Sequence, residues 1–364
     1  MKILYVTSKG GIHDYRFLKK LSAEHNVLLL HYSADDLMPE IPGIEGLKII
    51  SKKAFFKSFP LISEIIHFKK IVKEFKPDII HTGYVWQVGA LAAYSGVHPH
   101  LSMPWGSDIL IEPDRKFILK KIVSKVMRTC DHVQCDAEYV KAKIINDYGL
   151  PGDKITVFPW GIDLELFKNE KTPGCRSKLN IAPDKFVLIF NRYLEKVYGV
   201  EFLLEAFKEF AKNKEDVILL LVSDGSLKEE TLSFIKQRRL EKKIRMVGRV
   251  PNTQLPAILN CADVYVSTSL SDGTSLSLLE ALACGLGIIV TDVPAIKEWV
   301  SEDNGILVRI KDTVQIVAAM EKYYANRALI KQHGERNIKI AGDRADWNKN
   351  YEKLNGIYEK ILRK

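Results

Sequence analysis

The sequence predicts an α/β protein made of two successive parallel-sheet halves, and three observations carry that prediction. At 364 residues the chain is long for one average domain and long enough for two, each able to bury a core. Short β-branched runs alternate with helical patterns almost from end to end, which implies right-handed βαβ units and parallel sheets. The alternation is interrupted by a polar stretch, Lys168–Lys185, containing Pro173, Gly174 and Pro183, and then restarts.

The elements follow in order. KILYVTS at the amino terminus is a strand running into the turn Gly10-Gly11, followed by a helix over Asp14–Glu24. NVLLLHYS is a second strand, and Ile62–Phe75 a basic helix. DIIHTG leads into a helix over Val88–Ser95, LSMPWGSD into a helix over Arg115–Arg128, HVQCDAE into a helix over Tyr139–Tyr148, and ITVFPWG closes the first half. The second half opens with FVLIFNRY and a helix over Val200–Ala211. VILLLVSD and a helix over Glu229–Arg239 come next, then IRMVG, a short helix over Leu255–Asn260, VYVSTS, an apolar helix around Glu280, and GIIVTDV. The last segment, Trp347–Leu362, has apolar residues at 347, 351, 354, 358 and 361, a helical period, and is expected to pack across the domain junction. Parallel sheets of this kind bind ligands at the carboxyl ends of their strands. Those ends hold the unusual residues: Gly10-Gly11, His81-Thr82-Gly83, Trp105–Asp108, Asn191-Arg192, Ser223–Gly225, Gly248-Arg249 and Ser269–Gly273.

Composition narrows the function. Five scattered cysteines, without CxxC pairs, disfavour a disulfide scaffold and a zinc site and fit a reducing compartment. No run reaches the roughly 18 apolar residues of a membrane span, and the amino-terminal run is too short for a signal peptide, so a cytoplasmic protein is expected. Net charge is +9. From Lys48 to Lys76 there are eight Lys and two acids, and from Arg115 to Arg128 six Lys/Arg and no acid, both interleaved with Phe, Ile, Leu and Val. Such a surface suits an anionic membrane face, with a solvated helix face as the alternative. No nucleic-acid motif accompanies the charge, so a nucleic-acid partner is not expected.

The stretch Ser271–Asp292, SDGTSLSLLEALACGLGIIVTD, places one acid, Glu280, inside a nearly apolar helix-sized run. A buried carboxylate is costly unless something binds it. The helix is predicted to open after Asp272-Gly273 with Thr274 or Ser275 as its cap, so that its free N–H groups face the loop holding Asp272. Two carboxylates flanking an anion site point to a ligand carrying both phosphate and hydroxyl groups. Neither half has a GxGxxG fingerprint and there is no GxxxxGK[ST], which disfavours a dinucleotide dehydrogenase and a phosphate-loop ATPase.

Asp272 and Glu280 reproduce the E-x7-E spacing of family 4 retaining glycosyltransferases, followed by their small-residue run, here EALACGLGIIVTD. PDIIHTGYVWQVGALAA, PWGSDIL, ITVFPWGIDLELF, RYLEKVYGVEFLLEAF, LLLVSDGSLKEE, IRMVGRVPNTQLPAILNCADVYVSTS and NGILVRIKD also resemble blocks of that family, in family order and over essentially the whole chain. The resemblance implies a GT-B fold. Two Rossmann-like domains would face each other across a cleft, residues 1–167 on the acceptor side and 168–343 on the nucleotide-sugar side, with a helix over 344–364 crossing back to the first. It also implies a retaining, metal-independent hexosyltransferase that needs no cofactor beyond a nucleotide-sugar co-substrate, UDP favoured.

Residue by residue, Glu280 is similar to the glutamate that binds the ribose hydroxyls, and Asp272 to the one that touches the donor sugar. Asp272 is one methylene shorter, which sets its carboxylate back by about 1.5 Å, and helix capping is the alternative role. Gly273, Thr274, Ser275 and Leu276 resemble the loop whose backbone amides meet the diphosphate and sugar. Arg192 stands in place of the arginine that pairs with the diphosphate. The family lysine before the next glycine is missing: Tyr198 precedes Gly199, and Lys196, two positions earlier, is its candidate replacement. Gly10 and Gly11 resemble glycines near the donor phosphate and the acceptor, and Gly225, Gly248 and Arg249 resemble loops bordering the base. Where the family often reads HGSD, this chain has Trp105-Gly106-Ser107-Asp108. Trp105 cannot transfer a proton; it either packs on a sugar face or fills the domain junction, and Asp108 either orients an acceptor hydroxyl or caps structure. The catalytic candidates are Arg192, Lys196, Asp272 and Asp108. The expected acceptor is a lipid-linked saccharide or a glycolipid in cell-envelope glycan synthesis, with a soluble acceptor as the alternative. A catalytically silent binding partner and a sugar-nucleotide epimerase are the competing readings.

Overall fold

A computed structural model describes residues 1–32, 37–52, 62–170 and 174–363. Lys53 and Lys57 of the first basic stretch, and residues 171–173 of the expected linker, lie outside the described residues. The chain divides into two units, Met1–Phe158 with Tyr351–Lys364, and Pro159–Asn350.

Among the described residues the first unit holds seven parallel strands: β1 (Lys2–Thr7), β2 (Asn26–Tyr32), β3 (Lys48–Lys52), β4 (Ile79–Gly83), β5 (His100–Met103), β6 (His132–Cys135) and β7 (Ile155–Val157). Their order is β3-β2-β1-β4-β5-β6-β7, so it reverses between β1 and β4. The register pairs Ile3 with Val27 on one side and with Ile79 on the other. Val6, Leu28, Leu30 and Ile80 are buried against Phe68 and Ile71 of the helix Ile62–Phe75 and Val88, Leu91 and Ala92 of the next helical segment. Both faces are covered, which is why β1 and β2 read as nearly continuous apolar runs. The strand β3 falls inside the stretch read as basic surface; its lysines mark it as a charged sheet edge.

The second unit holds six parallel strands: β8 (Phe186–Phe190), β9 (Val217–Leu221), β10 (Ile244–Met246), β11 (Val264–Ser267), β12 (Gly287–Thr291) and β13 (Ile306–Val308), ordered β10-β9-β8-β11-β12-β13. This order reverses between β8 and β11. Its core has two faces, one built on Val187, Ile189, Leu220, Tyr265 and Ile288, the other on Leu188, Phe190, Leu219, Val264 and Ile289. The alternation of neighbouring residues between the two faces is the period-2 pattern of a strand covered on both sides.

Residues 159–167 join the second unit through Gly161 and Ile162. Ile162 N–H donates to Ala345 at 2.7 Å and Trp347 N–H donates back to Ile162 at 2.9 Å. Gly161, at φ +79°, lies so close to this segment that a Cβ would sit 2.6 Å from the Ala345 carbonyl oxygen. The helix Trp347–Leu362 starts in the second unit, and from Tyr351 onward it belongs to the first. All five of its predicted apolar positions are buried. In the first unit its Tyr358 hydroxyl meets His81 Nδ1 at 2.7 Å, and its Tyr351 hydroxyl donates to Glu24 at 3.1 Å.

Cys175 and Cys261 are joined as a disulfide with Cα atoms 5.9 Å apart. Scattered spacing concealed a pair brought together where Cys175–Lys178 meets the end of the helix Leu255–Leu259. Cys130, Cys135 and Cys284 are buried free thiols. Among the described residues no helix is long and apolar enough to cross a membrane.

Candidate functional site

In the second unit the candidate residues gather where the strand order reverses, after β8 and after β11. The apolar strand β8 ends at Phe190, and the next two residues, Asn191 and Arg192, turn toward the helix Leu276–Ala283. That helix begins as predicted. Ser275 is its cap, and its Oγ accepts from Leu278 N–H at 3.3 Å. Arg192 is almost fully buried, at 9% exposure. Its Nη2 lies 2.7 Å from Asp272 Oδ2, and its Nη1 donates to Ser275 Oγ at 2.5 Å and to Ser277 Oγ at 3.1 Å. The Tyr198 ring stacks on the guanidinium, 4.1 Å from ring centroid to Cζ. Burial works against the charge on Arg192, but the Asp272 carboxylate together with Tyr198 and Tyr265 outweighs it, so the guanidinium pKa is raised. Burial in turn pushes the Asp272 carboxyl upward, while Arg192 and the Gly273 amide oppose that push.

Glu280 sits one turn into the same helix, buried, and its Oε2 accepts from Asn191 Nδ2 at 3.2 Å. A carboxylate is acceptor-only, so the Asn191 amide nitrogen must face it. Gly199, at φ +62°, lets the loop after Arg192 pass against β11, where a Cβ would stand 2.4 Å from the Thr268 carbonyl oxygen. Thr268 Oγ1 donates to the Tyr198 and Gly199 carbonyls, and Leu270 N–H donates to Val197 at 2.8 Å. These bonds hold the loop of Arg192 and the loop of Asp272 as one piece.

Arg192, Asp272, Ser275 and Glu280 are thus brought together, with Gly273 buried between the two acids and Leu276 packed on the core. Lys196 is exposed and forms no ion pair among the described residues. Gly225 is a close-approach glycine: a Cβ there would lie 2.5 Å from the Leu194 carbonyl oxygen. Gly248 has φ +77° in open space and Arg249 is exposed. Sequence reasoning placed Asn191 at a ligand-facing strand end without a role, and missed Ser277 and Tyr265, whose hydroxyl lies 2.9 Å from Ser277 Oγ. The signal for Ser277 was a hydroxyl in an otherwise aliphatic helix face; the one for Asn191 was its place beside Arg192.

In the first unit the candidates lie at the ends of β1, β4 and β5. Gly10 has φ +65°, and Gly11 caps the helix Ile12–Glu24, donating its N–H to Asp14 Oδ2 at 3.2 Å. Asp14 also accepts from the Tyr5 hydroxyl at 3.0 Å, and burial raises its pKa to about 6. Trp105 packs edge-on to His13 and against Gly83. Asp108 is buried, and each of its oxygens meets a backbone amide, Oδ2 from Val85 at 2.8 Å and Oδ1 from Trp105 at 2.9 Å. Burial still lifts its carboxyl to about 7. Beside it Tyr84, at φ +92°, opens one turn of π-helix, and its hydroxyl, Ser107 and the Trp86 indole converge on Glu112. The carboxylate of Asp108 therefore braces an unusual turn at the end of β4. Among the described residues no three His, Cys, Asp or Glu side chains are grouped to hold a metal.

This geometry can neutralise and orient an anion in the second unit: a buried cation, a carboxylate and a helix amino terminus converge there. Residues 173–341 match the family model described as glycosyl transferases group 1, and residues 2–137 match one described as glycosyl transferase 4-like. The chain is 26% identical over 204 residues to the phosphatidylinositol N-acetylglucosaminyltransferase GPI3 subunit of Saccharomyces cerevisiae, covering 56% of this chain and 45% of that protein. It therefore spans less than half the length of that relative. It is 24% identical to the alpha-monoglucosyldiacylglycerol synthase of Streptococcus pneumoniae, over 72% of this chain and 61% of that protein. In fold it is similar to HepE of Anabaena, solved in complex with UDP-glucose, with a TM-score of 0.82 at 18% identity over 99% of this chain and 100% of that one.

Proposed function

Since this chain belongs to the group 1 glycosyl transferases, we propose that it transfers a hexose from a nucleotide sugar, with UDP the favoured nucleotide, to a hydroxyl of a lipid-linked saccharide or glycolipid. The observation that supports this reading most is the Arg192 cluster at the amino end of the helix Leu276–Ala283, with Glu280 buried one turn further on. A nucleotide sugar presents a diphosphate and a ribose, and the cluster offers a cation at a helix amino terminus for the first and a carboxylate for the second. The resemblance implies retention without a metal. In that mechanism the acceptor attacks the anomeric carbon on the face the diphosphate leaves, and a leaving phosphate oxygen takes the acceptor's proton. No strong side-chain base is needed, in keeping with tryptophan at position 105. The barrier falls by stabilising the departing charge, which assigns the largest share to Arg192 and the helix amino terminus.

The lipid part rests on the first unit. On the helix Ile62–Phe75, Ile62 and Ile66 are 76% and 63% exposed beside Lys69, Lys70 and Lys73, and on the helix Phe117–Thr129, Phe117 is 74% exposed beside Lys120 and Lys121. Apolar side chains in water among lysines match an anionic bilayer surface. The pneumococcal relative is named for a glycolipid product, which favours a lipid acceptor. Sugar transfer from UDP-sugars to extracted lipid acceptors tests the proposal. Arg192→Ala should reduce transfer at least about a hundredfold with the fold retained, and full activity in that variant would overturn the assignment.

A further inference from the structure

Arg192, the residue proposed to meet the diphosphate, is enclosed on most sides. Of its nitrogens, Nη2 is held by Asp272 and Nη1 by Ser275 and Ser277. Its face is covered by Tyr198, and Nε is buried with no hydrogen-bond partner among the described residues. Because Nε is itself buried, the route to this guanidinium that asks least of the surrounding structure is for an incoming diphosphate to replace one of its present partners. Ser275 is committed to the helix as its cap, and Ser277 is inside the helix and tied to the Tyr265 hydroxyl. Asp272 lies on the loop before the helix, 13% exposed at its side chain, and it is the partner whose chemistry a phosphate oxygen reproduces.

We propose that Asp272 is a built-in counter-anion: it holds and orients Arg192 in the empty site and is exchanged for a phosphate oxygen when a nucleoside diphosphate binds. The inference rests on the diphosphate reading of the site. It departs from the role implied by resemblance, in which this carboxylate touches the donor sugar. The shorter side chain of aspartate favours the exchange, because from the loop its carboxylate comes to rest on the arginine. Tyr198, standing where a lysine is usual, adds no second cation. The diphosphate must therefore win this one arginine from its carboxylate.

The two roles predict opposite effects of Asp272→Asn. Exchange predicts that removing the competing charge strengthens UDP binding; a sugar contact predicts weaker binding of UDP-sugar and unchanged binding of UDP. Calorimetric titration of the full chain with UDP and with UMP, on wild type, Asp272→Asn, Arg192→Ala and the double variant, separates them. Under exchange, Asp272→Asn binds UDP about tenfold more tightly and UMP as wild type does, and the gain falls below about threefold in the Arg192→Ala background. Equal or weaker UDP binding in folded Asp272→Asn, or an equal gain for UMP, overturns the inference and leaves the functional reading standing. Wild type that binds no nucleoside diphosphate overturns that reading, and the inference with it. If Asp272→Asn does not fold, Asp272→Ser carries the same comparison. Loss of folding in both shows a carboxylate that cannot leave Arg192, and also overturns the exchange.

Discussion

Replacing Asp108 with asparagine should change the pH dependence of stability in the first unit, by an amount that follows from the surroundings of this carboxyl. Burial lifts it from 3.8 to about 7 in the folded chain, whereas in the unfolded chain it ionises near its ordinary value of about 3.9. The folded state thus keeps a proton that the unfolded state has lost, and the wild type loses stability as pH rises through this window. Between pH 5 and pH 8 the difference persists for about two units, up to pH 7. At about 1.36 kcal/mol per unit this amounts to about 2.7 kcal/mol. Asparagine does not titrate, so the variant is spared that loss. Its amide nitrogen, however, cannot accept, and either Val85 or Trp105 loses the acceptor for its N–H. That costs about 1–3 kcal/mol at every pH. The variant should be less stable than wild type at pH 5 and equal to it or better at pH 8. Because two units need not unfold together, the assay is hydrogen exchange of peptides spanning residues 79–112 in the full chain at both pH values. A variant that differs from wild type by the same amount at both would refute the reasoning.

The other predictions concern the proposed ligands. Glu280→Gln should weaken UDP and UMP alike by about tenfold, because both carry the ribose, whereas a loss confined to UDP would move Glu280 to the phosphate side. Flotation with liposomes should require anionic lipid, and replacing Lys69, Lys70, Lys120 and Lys121 together by glutamine should abolish it; flotation that ignores both would remove the bilayer from the account.

Most of the fold was legible because both faces of each sheet are covered. Runs such as VLIF in β8 and VILLL in β9, short, β-branched and bounded by polar residues, read as buried parallel strands. The strand β3 was hidden because an edge strand rich in lysine has the composition of surface, and β13 because three residues carry little period. The helices Thr313–Ala325 and Arg327–Arg344 were passed over; the second is polar along most of its length and buries few side chains. At the site the sequence narrowed the helix cap to Thr274 or Ser275 and placed the burial of Glu280, since both follow from local pattern. The closure of Asp272 on Arg192 spans 80 positions of chain and depends on how β8 and β11 pair, which no local pattern encodes. The boundary between the units is a related case. The polar stretch at 168–185 looks like a linker, yet the chain already joins the second unit at Pro159, through backbone bonds of Ile162 to a segment about 180 residues away that composition does not reveal.

The central claim is that the second unit binds a nucleoside diphosphate through Arg192. Thermal unfolding of wild type and Arg192→Ala with UDP, GDP, ADP and dTDP tests it most directly, since a ligand of the folded state raises the midpoint with its affinity. The account predicts a rise for wild type with UDP above the other three and little or none for Arg192→Ala. A wild type indifferent to all four, or a variant that responds as wild type does, would contradict it.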